Sequence, residues 1–491
     1  MRPDHEDGRP ERSEAGPPSN GTSAGTVPAR SAPTGPAYAV HNATVHSTSE
    51  PYADAFIVED GTVSWIGAEE SVRHLPGQPA QRCDAEGALA APAFAGWLHL
   101  TPSFDGEHTA DEEIRGLRQR MGAALGGGVG LLRLTVDVPV GHELAESSVR
   151  EQIARGVAEI ICAAAAHPIP VQPIIALRGA DAGEIGGSED PTRRASAVLR
   201  SIESHLDDAL VSGTSAGTDS GSDVSAASGL TSRELAVEFP AGLLGEASPG
   251  KALEVLLGWR RFARDEGRQL ILAADRSDAQ PHDDEVAAES PQPGMDDAAA
   301  ARFVESLVAT HRELLAQGRS AAAGRPSIVV GFDTPDRELW EQLLNTAVHV
   351  CFTSAGHLAT ALSVGVPAFA AAPEGENPWR LVAGLVHRET DSLSVRAAFN
   401  AQVRGARRAL PAGPAQPPAS LGHLNAGEPA TFALWEADAL AVQTPESRVA
   451  AWSTDARSRT PLLPYLDGAS VPQLTATVID GVWHHITQGR D

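Results

Sequence analysis

The chain has 491 residues, with 64 acidic against 38 basic side chains and a formal charge of −26. That balance repels phosphate, which excludes nucleic acid and anionic membrane surfaces as expected partners. At this length two or three structural units are expected, and 42% hydrophobic residues suffice for a large core.

Lys251 is the only lysine, so any chemistry requiring a lysine amine must use it. Cys83, Cys162 and Cys351 are far apart in apolar runs, form no CxxC pair, and point to a reducing compartment. The opening MRPDHEDGRPERSEAG lacks the apolar stretch of a secretory signal, and no run is long and apolar enough to span a membrane. The expected location is cytoplasmic.

Residues 1–36 are rich in Gly, Pro, Ser and charge and read as a disordered tail. Strand-like pieces follow at 37–47 and 55–67. In the second, Asp60-Gly61 between alternating apolar residues predicts a hairpin, because glycine accepts positive φ.

From residue 88 short β-rich runs alternate with helical segments. Strands are expected at 88–100, 130–138, 170–178, 233–239, 269–275, 327–333, 348–354 and 366–372. Helices are expected at 109–125, 147–166, 192–210, 250–267 and 298–318. Eight β-then-α units predict an α/β fold, a parallel (β/α)8 TIM barrel over 88–420, with the fourth unit the weakest. Two polar insertions, 212–229 and 276–297, interrupt the alternation and read as solvated loops. The second should lie on the C-terminal face, where barrel active-site loops sit. Past 421 strand-like pieces return, and they are expected to join 37–87 in a small composite β-sandwich domain built from both chain ends, 37–87 with 421–491.

Several local sequences resemble one family. GALAAPAF (87–94) enters the first barrel strand, GVP stands at 365–367, and NPWRLVAGLVHRETDSLSVRAAFNAQVRGARRAL spans 377–410. LGHLNAGEPATFALWEADALAVQ (421–443), WSTDARSRTPLLP (452–464) and TVIDGVWHH (477–485) extend the match. These ends resemble the amidohydrolase superfamily, its family 3 branch in particular; the middle follows it only in pattern. The resemblance implies a hydrolase of non-peptide C–N bonds with one or two divalent ions at the C-terminal mouth. It also implies an HxH pair ending strand 1, a histidine ending each of strands 5 and 6, often a bridging lysine, and an aspartate ending strand 8. Such a site lowers the pKa of metal-bound water and moves its proton through the carboxylate.

The corresponding positions here do not carry those ligands. Without a gap, Leu98 and Leu100 take the two strand-1 places and His99 points away between them. With a one-residue deletion, His99 becomes the second ligand and Trp97 replaces the first. Ala273 stands at the strand-5 histidine, Gly331 or Phe332 at the strand-6 histidine, and Ala372-Pro373 at the strand-8 Ser-Asp. Lys251 opens a helix rather than ending a strand.

On residue type alone, His99 between leucines reads as a packed or hydrogen-bonded residue; the competing reading is a metal ligand, and it is the only candidate. His484-His485 sit on one strand, where side chains alternate faces, so they cannot converge on an ion. The expected strands end near Asp137, Arg178, Glu238, Asp275, Asp333 and Glu374, which with His99 form the candidate pocket mouth. These could bind an oxygen-seeking divalent ion or a cationic ligand. They could equally be ordinary strand-end residues that cap helices or pair with arginine. No catalytic residue is assigned. Gly126–Gly130 lacks the Lys-Ser/Thr of a phosphate loop and reads as a helix stop and turn.

The resulting expectation is a family 3-like barrel that has lost its metal site, a pseudoenzyme binding a small molecule or a partner without a cofactor. The alternative is an active amidohydrolase with a rebuilt or mononuclear zinc site using His99 and the mouth carboxylates. The family resemblance makes a homodimer an expectation as well.

Overall fold

The fold is described from a computed structural model, over residues 35–72, 74–75, 79, 81–104, 110–139, 147–178, 191–215, 230–231, 235–241, 244, 248–274, 296–318, 325–412, 422–443, 452–453 and 460–486. Residues 1–34 of the expected tail, Asp275 and most of both insertions therefore fall outside the described residues.

Eight parallel strands form one sheet in sequential order: β1 Phe94–Leu100, β2 Val129–Pro139, β3 Val171–Arg178, β4 Ala236–Pro240, β5 Leu270–Ala273, β6 Ser327–Val330, β7 Val348–Phe352 and β8 Ala368–Ala370. A parallel bridge between Gly96 and Ala372 joins β1 to the chain just beyond β8 and curls the sheet into a TIM-like barrel. The helices between strands are α1 Ala110–Gly126, α2 Ser147–Ala165, α3 Pro191–Ser215, α4 Pro249–Asp265, α5 Asp297–Ala316, α6 Arg337–Gln342 and α7 Leu358–Val364, and α8 Pro378–Val386 follows β8. Residues 212–215 of the first expected insertion belong to α3, and Asp296, from the second, caps α5 by accepting from Ala299 N at 2.6 Å.

Alternation along each strand divides two cores. Leu98, Leu100, Leu132, Leu134, Val136 and Leu272 face the helices. Ala95, Trp97, Leu131, Ile174, Ala236, Ile271, Ile328, Val330, Cys351 and Phe369 face the barrel interior. The N-terminal floor is polar. Arg133, 2% exposed, donates to Gln172 and to Ala406 O, and its guanidinium lies over the rings of Trp97 (5.4 Å) and Phe369 (5.3 Å). Gln172 Nε2 donates to Gln269 Oε1 at 2.7 Å, and Gln269 Nε2 to Ala409 O at 2.8 Å. Each buried amide thereby finds a partner, as burial requires. The carbonyl at 406 belongs to the helical stretch that runs from Val395 to Arg408 and closes the floor, and Ala409 caps its C-terminal end.

The run 88–100, expected as one strand, serves two sheets. Leu89–Pro92 pairs with Phe432–Glu436 and Thr44–Val45 outside the barrel; after Ala93 the chain enters β1. That outer sheet also holds Gln473–Ile479 and Val482–Ile486, so strands from both chain ends share it. A second sheet of Ala37–His41, Ala55–Glu59, Thr62–Gly67 and Arg82–Asp84 contains the expected hairpin, with Asp60 at φ 48° and Gly61 at φ 77°. Gly128 (φ 79°) ends the turn between α1 and β2. A Cβ there would come within 2.4 Å of Trp435, so both the backbone angle and the close approach require glycine. Among the described residues no helix is long and apolar enough to cross a membrane.

Candidate functional site

The alternation decides which strand-1 residues reach the mouth. Ala95 and Trp97 are interior, Leu98 and Leu100 belong to the helix-facing core, and His99 therefore points inward. This selects the register in which Trp97 and His99, rather than Leu98 and Leu100, occupy the two inward places. On β2 the inward residues are Leu131, Arg133, Thr135 and Asp137, directly beside them.

His99 Nε2 lies 2.7 Å from Asp137 Oδ1. A carboxylate only accepts, so Nε2 carries the hydrogen and donates. Thr101 Oγ1 donates to Asp137 Oδ2 at 2.7 Å. Arg178, ending β3, donates from Nε to Asp137 Oδ1 at 2.8 Å and reaches Glu238 Oε1 on β4 at 3.4 Å. The same guanidinium has Nη2 3.4 Å from His99 Nε2. Glu238 is fully buried and Asp137 is 8% exposed. Burial pushes the Asp137 carboxyl up, but the hydrogen bonds and charges of His99 and Arg178 outweigh it and hold the pKa below the usual aspartate value.

Four of the candidate mouth residues, His99, Asp137, Arg178 and Glu238, thus form one connected cluster at the C-terminal ends of β1 to β4. Asp275 lies outside the described residues. Asp333, beyond β6, is a separate pair: it accepts from His357 N at 2.8 Å and lies 3.1 Å from His357 Nδ1. Glu374, in the loop after β8, pairs with Arg120 of α1 on the outer side of the barrel. Arg120 Nη2 also donates to His99 O at 2.5 Å. Sequence reasoning missed Thr101, Arg120 and His357. Only Thr101, two residues beyond His99 on the same face, carried a signal in its spacing.

The metal-ligand positions can be tested against a divalent ion directly. Trp97 donates its indole N–H to Thr135 Oγ1 at 2.8 Å and offers no lone pair. Ala273 follows interior Ile271 in alternation and presents a methyl group. At β6 the inward residues are Ile328 and Val330. Gly331, at φ 78°, then turns the chain and sends Phe332 into the helix-facing core. Phe369 on β8 and Ala371 just beyond it face inward. Among the described residues no group of three or more His, Cys, Asp or Glu is placed to hold a metal ion. The residues present at these positions do not fit the metal centre that the resemblance implies.

No protein-family model and no curated protein matches the sequence. Solved structures do match in shape. A 5-methylcytosine deaminase from Klebsiella pneumoniae, liganded with 5-fluorocytosine, superposes with a TM-score of 0.55 at 14% identity, covering 92% of this chain and 98% of that one. A triazine hydrolase variant gives 0.54 at 15% identity, with 91% and 94% covered. An atrazine chlorohydrolase from Arthrobacter aurescens, complexed with zinc, gives 0.53 at 15% identity with the same coverage. At such identities the likeness establishes the fold alone: the TIM-like barrel with its outer sheet is shared with these structures over nearly the whole chain.

Proposed function

We propose that this protein is a family 3-like amidohydrolase barrel that has exchanged its metal centre for a fixed ion-pair cluster and binds a small polar ligand at the mouth without metal-dependent hydrolysis. The observation carrying this reading is Arg178. One guanidinium reaches both Asp137 and Glu238 and approaches His99, so the positive charge at the mouth is supplied by the chain itself. A planar, always charged fork is suited to carboxylates and needs no deprotonated ligand set. His99 Nε2 is committed to Asp137, which leaves that nitrogen unable to ligate without breaking a 2.7 Å bond.

The test is elemental analysis of tag-free protein, with His99→Ala alongside. Less than about a tenth of an equivalent of Zn, Mn, Fe, Ni or Co is expected, since a catalytic zinc site takes about three protein ligands. Near-stoichiometric metal that is lost in His99→Ala would overturn the proposal.

A second reading draws support from the His99–Asp137 pair itself. A histidine oriented by a buried carboxylate is a general acid–base arrangement, so a rebuilt hydrolase would use His99 to move the proton of an attacking water. Hydrolysis of a C–N substrate that persists after chelation and disappears in His99→Ala would select this reading. On either account, residence in the cytoplasm and assembly as a homodimer are part of the proposal.

A further inference from the structure

A cleft of about 320 Å³ lies outside the barrel, behind the seam where β1 meets the chain beyond β8. It is separate from the mouth cluster. Leu98 and Leu132, from the outward faces of β1 and β2, and Leu474 form its apolar wall. The end of α1 and the turn after it contribute only small residues, Ala123, Ala124, Gly126 and Gly127. Small residues along this open cleft leave room for a ligand of modest size.

Three polar features define what would fit. Glu376 lines the rim and is exposed, and Glu374 stands beside it in its pair with Arg120. The cleft is also bordered by the C-terminal end of α1, where the helix dipole favours positive charge. Trp435, 0% exposed, lines the same space, and its Nε1–H has no acceptor among the described residues. A buried indole N–H normally finds one. The site therefore asks for a small apolar body, a cationic or donor-rich group for the acidic rim, and one acceptor for Trp435.

We propose that this cleft is a binding site for a small apolar amine or amidine. The site is distinct from the mouth, although Arg120 links Glu374 to the His99 carbonyl, and it stands whether or not the mouth holds a metal. The overall negative charge of the chain favours the same sign of ligand.

The experiment uses the full chain and two probes of similar size, 2-aminobenzimidazole and indole-3-carboxylate. Indole N–H resonances are followed by NMR, with the Trp435 signal assigned through Trp435→Phe, and affinities come from calorimetric titration. The cationic probe is expected to saturate and to shift the Trp435 signal, and the anionic one to leave it unmoved. Glu376→Gln, at an exposed position, should weaken binding about fivefold, the scale of a rim charge. Ala124→Phe, at a half-exposed helix position, should abolish it. The proposal fails if both probes bind equally, if Ala124→Phe binds normally, or if 2-aminobenzimidazole binds without moving the Trp435 signal. Should Ala124→Phe not fold, an unchanged affinity in Glu376→Gln is by itself enough to overturn it.

Discussion

His99 Nε2 and Asp137 Oδ1, 2.7 Å apart on adjacent strands, make the hydrogen bond around which the mouth is organised. Asp137 also receives Thr101 and Arg178, so a single carboxylate of low exposure satisfies three donors. Asp137→Asn removes the charge while keeping the shape. It should destabilise the protein by about 2 kcal/mol at neutral pH, the scale for weakening charge-assisted hydrogen bonds. Because the folded pKa of Asp137 is depressed, its contribution is present above the unfolded value and is lost as pH falls from there through the folded one. Denaturant titrations at pH 7 and pH 3 should show a gap between wild type and variant that shrinks at the lower pH.

Arg178 tests whether the cluster is energetically one unit. Arg178→Met deprives Asp137 and buried Glu238 of a shared cation and should cost about 2 kcal/mol, less than the ~3–5 for a fully buried pair because Arg178 is partly exposed. Arg178→Met combined with Glu238→Gln should cost less than the sum of the two single changes. Strict additivity in the double-mutant cycle would show that the two side chains do not interact.

Trp97 occupies the inward place before His99 and is held from two sides, by Thr135 and by the Arg133 guanidinium below it. Trp97→Phe keeps an aromatic face but loses the N–H, leaving the Thr135 hydroxyl without this donor. A loss of about 1–2 kcal/mol is expected in chemical denaturation. A change within experimental error would argue that Trp97 merely fills volume.

Three histidines should dominate stability on the acid side. Burial pushes His46, His167 and His349 from the usual 6.5 down to about 4, with Arg133 adding to the effect at His349. Each is neutral when folded and takes up a proton on unfolding across that interval. Stability is therefore full above about pH 6.5 and falls towards pH 4, by about 1.4 kcal/mol per pH unit for each histidine that titrates only in the unfolded chain. His349→Gln should flatten that slope by about a third of the combined effect. An unchanged slope would mean that His349 titrates alike in both states.

The sequence by itself determined the barrel, because alternating β and α periods with short connections admit few other layers, and it determined the hairpin at Asp60-Gly61 and the stop at Gly126–Gly130. It also nominated His99, Asp137, Arg178 and Glu238, since strand-end residues are legible from where apolar runs stop. Orientation was not legible. A slip of one residue exchanges the two faces of a strand, and nothing local to Trp97-Leu98-His99-Leu100 says which pair faces inward. Pairing of β1 with β2 settled that, by setting Trp97 and His99 in line with Arg133 and Thr135. Tertiary structure also sent Glu374 to Arg120 on the outer surface and Asp333 to His357. It split residues 88–100 between two sheets as well, since partners distant in sequence supply those contacts and no periodicity encodes them.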